Sequence, residues 1–232
     1  MTAVISGGLG DIGAAIAVHL ARSGVDVAIA DLATDPGDLP PNASYHRVDV
    51  TDPDAIEHWL DEVGTPTVVV PAAATVTTGP LDPAAWRREL DVDLTGPYLL
   101  ATAATRRMIA AGTRGSVVFI GSWAAHRPHP SITAYSVAKA GLRMLCQCLA
   151  LDLAPHGIRV NEVAPGYVDA GLSKQLFDAD PPRRGAAVAQ VPLGTLSTAD
   201  DVAALVTFLA GPTAHHITGT TLVADGGLSL LT

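Results

Sequence analysis

Short β-branched apolar runs alternate with longer Ala- and Leu-rich segments almost from one end of the chain to the other. The short runs, at residues 3–5, 26–30, 45–50, 67–70, 116–120, 159–164 and 221–223, read as strands. Several are apolar at every position, which suits strands covered on both faces of a parallel sheet. Helical patterns lie between them. Ile12, Ile16 and Leu20 recur every fourth residue and Gly24 follows as a stop signal. In Thr51-Asp52-Pro53-Asp54 a capping residue precedes proline, opening a second helix. Two more occupy roughly 84–111, a fifth runs over about 135–154, and a sixth starts near 197–201. Strand and helix in strict alternation force right-handed crossovers, so the expected fold class is α/β: a doubly wound parallel sheet flanked by helices on both faces. The Pro/Gly-rich stretch 35–42 is too short to separate domains, and 170–194 reads as an insertion over the sheet edge. A single domain over 1–232 is expected.

Composition narrows the possibilities. The chain has 232 residues, 48% of them hydrophobic and 16% charged, which excludes intrinsic disorder and allows a substantial core. Lys+Arg number 14 against 23 Asp+Glu, a net charge of −9, which argues against a nucleic-acid binder that works by neutralising phosphates. It does not argue against a small anionic ligand held by backbone amides. No apolar run approaches the roughly 18 residues that span a bilayer, and Met1-Thr2-Ala3-Val4-Ile5 runs into a strand without a basic leader. A cytoplasmic protein with no membrane partner is expected. Cys146 and Cys148 lie two apart, where helical side chains diverge, and read as reduced thiols. The histidines show no spacing typical of a metal site.

Two motifs carry chemistry. The first strand runs into Ser6-Gly7-Gly8-Leu9-Gly10-Asp11-Ile12-Gly13, where Gly8, Gly10 and Gly13 fit G-x-G-x-x-G at the opening of a helix. Such glycines allow a tight turn and close backbone approach to a pyrophosphate, and the helix N-terminus offers unpaired N–H groups. Asp31 ends the second strand, where an acid bonds ribose hydroxyls and repels a 2′-phosphate. The turn carries no Lys or Arg, and Asp11 makes it more negative, so NAD (NADH) is favoured over NADP. The second motif is Tyr135-Ser136-Val137-Ala138-Lys139. Residues four apart share a helix face, and an ammonium beside a phenol favours the phenolate that acid/base work near neutral pH requires. Ser122 follows an apolar strand at its carboxyl end, where α/β sheets place ligands.

Ser6–Gly13, Asp31, Asp49-Val50, Ser122, Tyr135-x-x-x-Lys139 and Pro165-Gly166, with Ile217-Thr218-Gly219 and Asp225-Gly226-Gly227 near the end, stand in the order and spacing of the short-chain dehydrogenase/reductase family. The chain resembles that family over essentially its whole length, in its short, single-domain, NAD-preferring branch. The resemblance implies a Rossmann-like sheet. It makes Tyr135 the proton donor and acceptor, Lys139 the group that favours its phenolate and holds the nicotinamide ribose, and Ser122 the residue that orients the substrate oxygen. Ser6, Gly7, Gly8, Gly10, Asp11, Ile12, Gly13, Asp31, Leu32, Asp49, Val50, Ala73, Pro165, Gly166 and Val168 are the implied coenzyme contacts, with Tyr135 and Lys139. Ser122, Trp123, Tyr135 and Tyr167 are the implied substrate wall, and 170–194 its lid. A homodimer or homotetramer is implied, with the contact made by the helices near 84–111 and 135–154.

Departures from the family pattern are part of the reading. Ser6 replaces Thr, Asp11 replaces a glycine, and Pro71-Ala72-Ala73-Ala74 replaces Asn-Asn-Ala-Gly. Asp93 stands for the Asn that positions a water behind the lysine, and Ala170 for a Thr that contacts the carboxamide. These point to weaker coenzyme binding rather than lost chemistry. The expected activity is NAD-dependent interconversion of a secondary alcohol and a ketone, both small molecules. Two alternatives stand beside it. One is a non-catalytic NAD(H) sensor, motivated by Asp11, Asp93 and Ala170. The other is a sugar-nucleotide epimerase, motivated by the fit of Gly7-x-x-Gly10-x-x-Gly13 to a larger branch whose extra domain this chain has no room for. Of Trp123, His126, Arg127 and His129, which lie between Ser122 and Tyr135, Arg127 reads as solvated or at a subunit contact.

Overall fold

In a computed structural model that describes residues 1–80 and 82–231, except the side chains of Leu172, Gln175 and Leu176, the strands form one parallel sheet. They are β1 (Thr2–Ser6), β2 (Asp26–Asp31), β3 (Ala43–Arg47), β4 (Val68–Pro71), β5 (Gly115–Ile120), β6 (Ile158–Pro165) and β7 (Thr221–Ala224). Their order is β3-β2-β1-β4-β5-β6-β7. The order reverses between β1 and β4, and a doubly wound sheet opens a crevice there, beyond the carboxyl ends of the strands.

Alternation along each strand divides the core into two layers. Val4, Val69, Val117 and Phe119 face one way, with α2 (Pro53–Val63), α4 (Gly96–Ala110) and α5 (Thr133–Leu153) packed over them. Ala3, Ile5, Val68, Val70, Val118 and Ile120 face the other way, under α1 (Asp11–Arg22) and α8 (Ala199–Ala210). All these strand residues are buried, so both faces read as apolar and the continuous runs in the sequence follow. Local signals set the helix starts. Asp52 accepts from the N–H groups of Asp54 and Ala55 ahead of α2, and Thr198 with Asp201 forms a capping box on α8. Asp82 does the same for α3 (Pro83–Leu90), which joins α4 through one π-helical turn, Asp91–Thr95. Among the described residues, no helix is long and apolar enough to cross a membrane.

The structure corrects one expectation and adds detail to another. The third strand covers Ala43–Arg47, not 45–50. Asp49 Oδ1 accepts from both the N–H and the hydroxyl of Thr51, at 2.9 and 2.7 Å, and this Asx turn ends the ladder early. Val48 and Val50 are buried as loop residues. The segment 170–194, read as an insertion over the sheet edge, has regular structure of its own. It holds α6 (Gly171–Ala179) and α7 (Pro181–Gln190), whose side chains reach the crevice at the strand ends. Asp180 caps α7 ahead of Pro181, a start signal present in the sequence.

Candidate active site

The Gly-rich turn is shaped by its neighbours. Gly7 has φ +66°, and a Cβ there would come within 2.5 Å of Ala73 Cα. A Cβ on Gly13 would lie 2.2 Å from the Gly7 carbonyl oxygen. These contacts hold β1, α1 and the segment after β4 together. Gly10 precedes α1 without a side-chain cap, so the first N–H groups of the helix have no local acceptor. Gly7, Gly10, Asp11, Ile12 and Gly13 all line the crevice, a cleft of about 970 Å³. Gly8 and Ser6 do not. A Cβ on Gly8 would meet Ile29 Cγ2 at 2.6 Å, and Ser6 is buried with its hydroxyl 3.5 Å from the Ala73 N–H. The glycine spacing on the cleft is therefore 7, 10 and 13 rather than 8, 10 and 13.

Asp31, Leu32, Asp49 and Val50 line one end of the cleft, with Ala73 farther along. The Asp31 carboxylate accepts from Leu9 N–H at 3.2 Å and Leu32 N–H at 2.8 Å, so it is aimed rather than free. Arg47 lies opposite Asp31 in the β2–β3 register, and its Nε donates to Leu32 O at 3.2 Å. This cation beside the acid is invisible in the sequence, because only the strand register brings the two together. Asp11 turns its carboxylate onto Gly171 N–H at 2.7 Å, tying α1 to α6.

At the other end, Ser122, Tyr135 and Lys139 share the cleft wall. Ser122 opens a 3₁₀ turn at Trp123–Ala125 and its Oγ accepts from Ala124 N–H at 3.2 Å, which leaves its hydroxyl hydrogen to donate. Tyr135 and Lys139 stand one turn apart near the start of α5, with Lys139 Nζ 5.4 Å from the phenol ring centre. Among the described residues, none hydrogen-bonds the Tyr135 hydroxyl. The ammonium donates to Ile120 O at 3.1 Å and meets Asp93 Oδ1 at 3.3 Å, an ion contact whose angles fall short of a hydrogen bond. Burial alone would lower Lys139, yet Asp93 and then Tyr135 hold its proton and raise it overall.

Asp93 lies behind this wall, not on the cleft. It is fully buried on the π turn, and its Oδ2 accepts from Thr75 N–H at 3.1 Å. Burial raises its carboxyl above the usual range, against the pull of Lys139 and the Thr75 N–H, with a smaller push from Glu89. Glu89 is itself fully buried and accepts from Thr77 N–H at 2.7 Å.

The far part of the cleft is aromatic. Trp123 stands edge-on to Tyr167 and to His129, each at 5.4 Å, and Tyr167 meets Phe177 at 6.3 Å. Pro165, Gly166, Val168 and Ala170 complete this side. His126 does not line it: its Nδ1 faces Arg143 at 3.1 Å, and burial, then Arg143, lowers its proton affinity. Arg127 does not line it either. Arg88, Phe177, Arg183 and Gln190 do, and sequence reasoning missed all four. The last three come from α6 and α7, for which Asp180-Pro181-Pro182 was the available signal.

The residues present fit a nicotinamide dinucleotide. Uncapped N–H groups at α1 face the middle of a cleft that runs from an aimed Asp31 to Ser122, Tyr135 and Lys139. A family model described as enoyl-(acyl carrier protein) reductase matches residues 8–229. Cis-4-hydroxycyclohexanecarboxylate dehydrogenase of Sinomonas cyclohexanicum is 38% identical over 97% of this chain and 95% of its own. Galactitol 2-dehydrogenase of Agrobacterium fabrum is 33% identical over 97% and 96%. A solved short-chain type dehydrogenase/reductase from Mycobacterium marinum superposes with a TM-score of 0.89, at 29% identity over 98% of this chain and 94% of that one.

Proposed function

The chain belongs to the short-chain dehydrogenase/reductase family, and on that premise we propose that it interconverts a secondary alcohol and a ketone with NAD as its coenzyme. Oxidation and reduction at a CH–OH carbon is the activity of an oxidoreductase of this family, and the relatives above are named for it. When bound, a nicotinamide dinucleotide supplies the two-electron acceptor or donor. The chain's own groups do the rest. Ser122 donates its free hydroxyl hydrogen to the substrate oxygen and fixes its position. Tyr135 takes the alcohol proton, or returns it to the ketone oxygen. Lys139 stabilises the phenolate between those events and, held charged by Asp93, keeps its ammonium below the ring. Residues 170–194 act as a lid that shuts water out.

One observation carries the reading: Ser122 and Tyr135 face the same cleft, with a buried, counter-ioned Lys139 beneath the phenol. Asp31 supports NAD over NADP, since a 2′-phosphate beside that aimed carboxylate meets like charge. Neither the sensor nor the epimerase alternative is favoured, because the acid/base groups are intact and the relatives are named dehydrogenases. The test is spectrophotometric, with a panel of alcohols and ketones and both coenzymes. Tyr135→Phe lowers kcat at least about 100-fold, and retention of most activity refutes the acid/base role. Asp31→Ala lowers the NAD-over-NADP preference at least about tenfold, because the like charge nearest the 2′-phosphate is then gone. Unchanged discrimination refutes the selectivity claim.

A further inference from the structure

We propose that the secondary alcohol is a ring compound carrying a carboxylate, with its ring against Trp123, Tyr167 and Phe177 and its carboxylate on Arg183. The proposal rests on the oxidoreductase reading above. Charge is segregated along the cleft. The lining carboxylates are Asp31 and Asp49, at the end under β2, and Asp11, at the start of α1 in the middle of the cleft and tied to Gly171 N–H. Beyond Ser122 the lining charges are positive: Arg88 on α3, Arg183 on α7 and the buried Lys139. Among the described residues no carboxylate lines that half, in a chain of net charge −9.

The two exposed arginines are not equivalent. Arg88 Nη2 already donates to Thr77 Oγ1 at 3.0 Å. The neighbour of Arg183, Arg184, is ion-paired to Asp169. Among the described residues Arg183 has no hydrogen bond or ion pair from its guanidinium, yet its charge reaches Tyr167 and favours that phenol's ionised form against a larger effect of burial. A guanidinium left open on the same cleft as an aromatic wall is suited to a carboxylate, which it binds through two parallel N–H bonds.

The wall itself selects the body of the ligand. Trp123, Tyr167 and Phe177 meet edge to face at 5.4 and 6.3 Å, a continuous apolar surface beginning one residue after Ser122. The carbinol oxygen is held at Ser122 and Tyr135, and the anion on the far helix, so a ring separates the two functions. A flexible polyol offers neither the apolar face nor the charge.

The test compares cis-4-hydroxycyclohexanecarboxylate, its methyl ester and galactitol, with wild type, Arg183→Gln and Arg183→Lys. Turnover is followed at 340 nm and binding by calorimetry in the presence of coenzyme. Wild type prefers the free acid over the ester at least tenfold in kcat/KM, chiefly through KM. Arg183→Gln collapses that ratio, and Arg183→Lys restores part of it. Equal kcat/KM for acid and ester, preference for galactitol, or an Arg183→Gln effect of equal size on acid and ester overturns the proposal. The two readings fail separately. Acid that binds in an Arg183-dependent manner without turnover keeps the carboxylate site and sinks the dehydrogenase reading, whereas turnover of alcohols without regard to charge does the reverse.

Discussion

The Asp11 carboxylate, on the first residue of α1, accepts a 2.7 Å hydrogen bond from the backbone N–H of Gly171, on the first residue of α6. One side chain thus closes a link between the Gly-rich turn and the 170–194 segment. It also places a negative charge at the helix terminus where an anionic ligand is best bound.

Those two consequences separate under mutation. Asp11→Asn keeps an acceptor for Gly171 and removes the charge, so the Kd for NADH falls about fivefold, close to 1 kcal/mol for a screened like-charge pair. Asp11→Ala also loses the link, so protease cleavage within 171–190 of the free protein accelerates. Fluorescence titration and limited proteolysis report the two effects. An unaltered Kd for Asp11→Asn would mean that the charge never meets the ligand.

Asp93 and Lys139 form a buried pair, and one-sided removal is costly because the surviving charge has no water to turn to. Asp93→Ala lowers the unfolding free energy by about 3–5 kcal/mol. Asp93→Asn retains an acceptor for Thr75 N–H and loses about 1–3 kcal/mol. Urea melts at neutral pH rank the three proteins. Equal stability of Asp93→Ala and wild type would show that Lys139 finds another counter-ion.

Glu162, on β6, is fully buried, and its Oε1 has no hydrogen-bond partner among the described residues. Its Oε2 accepts from Thr221 Oγ1 on β7 at 2.6 Å, and Lys139, Arg143 and Cys146 face it from α5. Burial raises its carboxyl, against the Thr221 bond and the two cations. A group whose folded value lies above its unfolded one stabilises fully below the unfolded value, and that contribution disappears as pH rises through the folded one. Glu162→Gln does not titrate, so its stability relative to wild type climbs as pH rises above the ordinary glutamate range of about 4, with each tenfold difference in proton affinity worth about 1.4 kcal/mol. Denaturant midpoints over that rise in pH test this, and a constant difference contradicts it.

The sheet was legible because two apolar faces leave a continuous apolar run, which needs no knowledge of partners. The cap at Asp52 was legible for a similar reason: it acts on N–H groups within three residues of itself, and Thr198, which the structure shows capping α8, works over the same range. The third strand was misplaced because apolar Val48 and Val50 look like strand, while the turn at Asp49 that stops it is set by a side chain. The helices α6 and α7 were hidden in a segment where Gly and Pro break the apolar pattern, and residues such as Phe177 and Ala187 are buried only once the segment folds over the cleft.

By itself the chain determined what depends on near neighbours: the alternation of strand and helix, the Gly-rich turn, and Tyr135 one helical turn from Lys139. The tertiary structure alone decided which glycines face the cleft, that Arg47 stands beside Asp31, that Asp11 reaches Gly171, and that Asp93 lies under Lys139. The physical reason is range. Periodicity and capping act over a few residues, whereas charges and hydrogen bonds between distant residues depend on strand register and on the crossing of helices over the sheet, which no local spacing records.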